Sequence, residues 1–163
     1  MTNRRGIPMT ATDTKTLTIA ATLTIAVRKE VAESDLQDVL VTAYEGGIGY
    51  WARGLNAKGT EYAYEWIALY IKDEAVDATG ADATYSYAQL DAAVLTGEYP
   101  EVITLIDAET VARGVERILS GEVGIRADLA NQVRTLLTGD PDVDADAADC
   151  VVQAGIFGEV IYG

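Results

Sequence analysis

The stretch Glu61–Ile71, EYAYEWIALYI, constrains this chain more than any other segment. Strand periodicity puts Tyr62, Tyr64, Trp66 and Tyr70 on one side and Ile67, Leu69 and Ile71 on the other. A strand apolar on both faces has to be covered on both, so this one is expected at the centre of a sheet. If helices leave the tyrosine side uncovered, it becomes an aromatic patch of the kind that marks a partner or ligand. Seven of the twelve aromatics lie between Tyr44 and Tyr70, which makes that region the densest source of contact area.

Other segments supply the remaining layers. Leu17, Ile19, Ala21, Leu23, Ile25 and Val27 alternate with Thr-rich positions, the pattern of a strand with one buried face. Ser34 and Gln37 form a capping-box pattern before Leu36, Val39, Leu40, Ala43 and Tyr44 at helical spacing, and Gly46-Gly47 should stop that helix. The segment Tyr85–Leu95 is ambiguous between helix and strand. Val102–Ile106 reads as a short strand ending in Asp107, a good N-cap for a helix Ala108–Leu119 closed by Gly121. A helix over Ile125–Leu137, closed by Gly139, carries the stripe Leu129, Val133, Leu136 and Leu137, and a last helix spans about Asp146–Ile156. Strands early and helices late predict an α+β fold: a small antiparallel sheet with three to four helices on one face. Residues 1–15 read as a flexible tail, 16–163 as one α+β domain, and 73–82 as an acidic loop.

Composition narrows the chemistry. Without a single histidine, His-based acid–base work, Ser-His-Asp and Cys-His mechanisms and nearly every catalytic zinc site are excluded. One cysteine, Cys150, excludes an intrachain disulfide and Cys-rich metal sites, and fits a reducing cytoplasm. No signal peptide is visible, and the apolar runs are too short to span a membrane. Residues 1–58 hold seven Lys/Arg and six Asp/Glu, while 59–163 hold five and twenty, a local balance of −15 within the total of −14. Such a field repels phosphates and disfavours direct nucleic-acid binding. It suits solubility or salt adaptation, and equally an acidic mimic that occupies a basic partner.

The densest motif is Glu45-Gly46-Gly47-Ile48-Gly49-Tyr50-Trp51. Its glycines let backbone approach another group closely, and N–H groups in such turns can hold an anion. Tyr50 and Trp51 could stack on a base or sugar, with Glu45 as hydrogen-bonding group or general base. The bland alternative is a helix end followed by core aromatics, since the glycines follow a helix and no Gly-Lys-Ser/Thr completes a phosphate loop. The second motif is the apolar end of the chain, with Phe157, Glu159 and Tyr162, which is expected to dock or to bind. Cys150 sits among Val and Ala with no basic neighbour, the setting of a packed thiol. Asp140, Asp142, Asp144, Asp146 and Asp149 invite a calcium reading that fails. Counted from Asp140, the sixth and twelfth positions are Ala145 and Val151; counted from Asp142 they are Ala147 and Gln153. No metal and no cofactor is expected.

Glu45–Trp51, the ETVARGVERILSGE helix and the end DADAADCVVQAGIFGEVIYG together resemble a family of small uncharacterised proteins of tailed phages and prophages. Those proteins carry an EGGxxYW element after the first helix and a tail of the type FGE[IV][IV]YG. The resemblance covers roughly residues 31–163 and implies no activity. It implies a setting, a viral product acting in the host cytoplasm, and joins Glu45–Trp51 and Phe157–Gly163 as one possible surface. The reading preferred from the sequence is a non-enzymatic viral accessory protein that binds a host protein, such as a basic, nucleic-acid-handling one. The alternative is a nucleotide-like small ligand, bound or turned over by carboxylate chemistry at Glu45–Trp51. A virion component is weaker, because no coiled-coil heptads are present.

Overall fold

The computed structural model describes residues 30–60, 63–71, 87–98 and 100–163. The alternating stretch Leu17–Val27, the tail 1–15, the acidic stretch 73–82 and Tyr62 lie outside the described residues.

Among the described residues, three strands form one antiparallel sheet in the order β1-β2-β3, with β1 Ala52–Thr60, β2 Ala63–Ile71 and β3 Ile103–Ile106. The central place of β2 follows from its composition. Ile67, Leu69 and Ile71 enter the main core, while Ala68 and Tyr70 enter a second cluster with Leu90, Val94 and Ile103, against which Trp66 packs. Tyr64 departs from the expected tyrosine side, because its ring meets Tyr44 edge-on at 5.6 Å against the main core. The second cluster corrects the expectation of helices on one face only. Helix α2, Tyr87–Thr96, drawn from the ambiguous stretch, supplies Leu90 and Val94 to cover the far side of β2. Apolar residues on both faces of β2 demand this second layer. Strand β1, ARGLNAKGT, lacks the clean alternation that would mark it in the sequence; it pairs with β2 across irregularities at Gly54/Asn56 and Lys58/Gly59.

The main core lies between β2 and helices α1 Glu33–Thr42, α3 Ala108–Ser120, α4 Ala127–Thr135 and α5 Ala145–Phe157. With α2 this makes five α-helices among the described residues. Asp107 caps α3 by accepting from the Thr110 N–H at 2.9 Å, and Gly121 closes it at φ 81°. Asp144 caps α5 by accepting from the Ala147 N–H, and Gln132 of α4 clamps that cap: its amide donates to Asp144 Oδ2 and accepts from the Asp144 N–H. The Ser34–Gln37 capping box is not used. Helix α1 begins one residue before Ser34, so Ala32 is the N-cap, and its carbonyl takes the Asp35 and Leu36 N–H groups.

The end of α1 is the feature that shapes the site. Gly46-Gly47 does not stop the helical path in a left-handed cap. A π-turn over Ala43–Gly47 and a 3₁₀ turn over Ile48–Tyr50 carry it onward, with Gly47 at φ −97°. The glycines are there for contact with α5. A Cβ on Gly47 would lie 2.7 Å from the Ala145 carbonyl oxygen and 3.0 Å from Asp149 Cβ. One on Gly46 would lie 3.1 Å from Ala145 Cβ. The π-turn thus lays the Glu45–Trp51 segment directly on the N-terminal half of α5.

Candidate functional site

Helix α5 is apolar and buried over Ala147–Gly155 apart from two polar residues one turn apart, Asp149 and Gln153. A buried carboxylate requires partners, and here the Glu45–Trp51 segment supplies them. Trp51 Nε1 donates to Asp149 Oδ1 at 2.6 Å. Tyr50 Oη donates to Asp149 Oδ2 at 2.8 Å, and Gln153 Nε2 donates to the same oxygen at 2.9 Å. Gln153 then holds the chain end. Its Oε1 accepts from the Ile161 and Tyr162 N–H groups at 2.9 and 2.8 Å, and its Nε2 donates to the Tyr162 carbonyl at 2.9 Å. The Tyr162 ring lies flat on Trp51, with centroids 5.3 Å apart and planes 1° off parallel, and Phe157 meets both rings edge-on. Gly158, at φ 77°, turns the chain back from the end of α5 so that the tail can reach this position.

The two motifs singled out in the sequence therefore meet, and α5 joins them. Asp149 and Gln153 are the residues that sequence reasoning missed as part of the site. The signal was present: a carboxylate and an amide at i and i+4 within the otherwise apolar run Ala147–Gly155 have to answer to some polar partner. In the sequence, Asp149 reads as the last member of the aspartate run before it.

Beside this knot opens a cleft of about 620 Å³. It is lined by Gly46, Gly47 and Tyr50, by Val160, Tyr162 and Gly163 of the tail, by Gly124, Ile125, Arg126 and Leu129, and by Asp146, Asp149 and Cys150 of α5. Of the expected site residues, Gly46, Gly47, Tyr50 and Tyr162 line the cleft. Trp51 is 2 % exposed and stands behind Tyr162, so it braces the wall and offers no face for a base or sugar. Phe157 packs against the main core in the same layer. Glu45, Gly49 and Glu159 are exposed and are not among the cleft-lining residues.

The electrostatics separate structural groups from available ones. Burial pushes the Asp149 carboxyl upward, while the hydrogen bonds from Trp51, Tyr50 and Gln153 pull it down. Tyr50 is 55 % exposed as a residue, yet its hydroxyl is hydrogen-bonded to Asp149. Burial there, followed by the carboxylate's hydrogen bond and charge, raises the phenol to about 12. Burial, with Asp149 and Asp146 adding to it, pushes the Cys150 thiol up to about 11, far from the range of a reactive thiolate. At the rim, the Arg126 guanidinium holds Asp128 with two hydrogen bonds, at 3.0 and 2.6 Å. That pair holds Asp128 down at about 2 and partly offsets the charge of Arg126, the one cationic side chain among the described residues that line the cleft. Asp146, in the first turn of α5, stays exposed. Among the described residues, no three acidic or cysteine side chains are gathered to hold a metal ion, and no helix is long and apolar enough to cross a membrane. Compared with protein families, curated proteins and solved structures, the chain matches none.

Proposed function

We propose that the chain is a non-enzymatic binding protein that occupies a basic host protein through the face around this cleft. The observation that carries the reading is the division of labour among the carboxylates. Asp149 is committed inward to three donors, whereas Asp146 stands open at a cleft whose single arginine is already paired with Asp128. The surface left for a partner is therefore acidic, within a stretch, 59–163, that carries −15. A basic protein surface is attracted to such a field, and one that handles nucleic acid is already built to receive dense negative charge. The resemblance of Glu45–Trp51 and Phe157–Gly163 to phage and prophage proteins supplies the setting, a viral accessory product in a host cytoplasm.

The test is capture from host lysate on the immobilised full chain at low and high salt, with mass spectrometry of what is retained. A basic protein held in stoichiometric amount at low salt and released at high salt is the expected result. Capture that ignores salt would sink the charge-based reading. A second reading, a nucleotide-like small ligand, is favoured by the cleft's size alone: about 620 Å³ falls within the roughly 300–1,000 Å³ of small-molecule sites. A co-purifying small molecule without a protein partner would favour it.

A further inference from the structure

We propose that the cleft receives an organic cation, the ammonium or guanidinium end of a lysine or arginine side chain presented by the basic partner. The inference rests on the binding reading above and adds where the contact is made and what chemistry it takes. Three features converge on it. The first is Tyr50, a residue 55 % exposed that lines the cleft while its hydroxyl is fixed to the Asp149 carboxylate. An aromatic face held in place beside a negative group attracts a cation without having to be ordered on binding. The second is charge. Asp146 is open at the cleft, Asp149 also lines it, and Arg126 is paired with Asp128, so the charged groups that an entering cation meets sum to a negative balance. The third is the remainder of the lining: Ile125, Leu129 and Val160 offer apolar surface along which the methylenes of a long cationic side chain can lie. An anion meets the opposite situation, with one pre-paired guanidinium against two carboxylates. A nucleotide's phosphates are for the same reason poorly served here.

The experiment uses the full chain and two free probes, N-acetyl-lysine amide and its uncharged analogue N-acetyl-norleucine amide, titrated to high millimolar concentration. Binding is followed through the NMR amide signals of Gly46, Gly47, Tyr50 and Gly124, which border the cleft. The expected result is saturable movement of these signals with the lysine probe and none with the norleucine probe. Asp146→Asn, an exposed substitution, should weaken the lysine probe roughly threefold to tenfold, the loss expected of one close opposite charge at a surface. Norleucine moving the same signals as strongly as lysine would overturn the proposal in favour of an apolar site. Silence from both probes would overturn it as well. Neither of those outcomes touches the binding reading, which stands or falls separately on salt-released capture of a basic protein.

Discussion

Asp149 shows how one residue can decide whether two distant pieces of chain form a surface. Its two oxygens collect Trp51, Tyr50 and Gln153, and through Gln153 they also fix the tail. Asp149→Ala leaves the buried Trp51 N–H without its acceptor and releases Tyr50 and Gln153. The expected cost is about 3–5 kcal/mol, the scale of removing one member of a buried charged network. Asp149→Asn should cost less, about 1–2 kcal/mol. An amide oxygen can still accept from Trp51, and Tyr50 can turn its hydrogen to the Tyr162 carbonyl 3.0 Å away. Urea denaturation of both variants reads the difference; equal costs would show that the carboxylate is not what the knot is built around. The same site gives the fold an alkaline limb. Cys150 and Tyr50 hold their protons more tightly folded than unfolded, so the stability this contributes is complete below the ordinary values of 9.0 and 10.0. It is lost as pH rises through about 11 for the thiol and about 12 for the phenol. Urea midpoints measured from pH 8 upward should therefore fall, and the combined variant Cys150→Ala/Tyr50→Phe should fall less steeply across the same range.

Helices α3 and α5 cross with their backbones in contact, and two glycines permit it. A Cβ on Gly114 would run into the Val151 carbonyl, and one on Gly155 into the Thr110 carbonyl. Neither obstacle is a flexible side chain, so relief requires the helices to part. Gly114→Ala and Gly155→Ala should each cost about 3 kcal/mol or more, at or above the usual range for overpacking. The double variant should cost less than the sum, because a single separation of the helices relieves both clashes. Additive costs in thermal or urea unfolding would mean that each site relaxes on its own. These two glycines also show where the sequence is legible and where it is not. Local chemistry announces α3: Asp107 before it, Gly121 after it and a clear apolar stripe between. The doubly apolar β2 announces its own central place. Strand β1 is silent because pairing with β2, and not side-chain alternation, makes it a strand. Gly46 and Gly47 announce a close approach but not its partner, and Gly114 and Gly155 announce neither, since what a missing Cβ makes room for belongs to another element far along the chain. For the site, the two flanking motifs are readable as unusual segments. Their meeting is suggested only by the resemblance and not by the residues themselves, because it depends on a π-turn at the end of α1 and on two polar residues of α5.

Across the whole molecule the net charge of −14 acts on stability and on binding with opposite signs. Within the isolated protein, like charges repel more in the compact state than in the expanded one, so screening them should stabilise the fold. Between the protein and a basic partner, screening removes attraction and should weaken the complex. At about 0.1 M salt the screening length is already near 10 Å, comparable to the spacing between surface charges, so both effects should develop between low and moderate ionic strength. The melting temperature of the free chain is therefore expected to rise with sodium chloride over the same interval in which captured partner is released. The joint measurement separates two origins of the acidity. An acidic surface kept only for solubility or salt adaptation predicts the first trend without the second. An acidic surface kept to occupy a basic partner predicts both, and predicts further that Asp146→Asn reduces capture while leaving the salt dependence of melting nearly unchanged, because one carboxylate of twenty-six barely alters the total field but removes the open charge at the cleft.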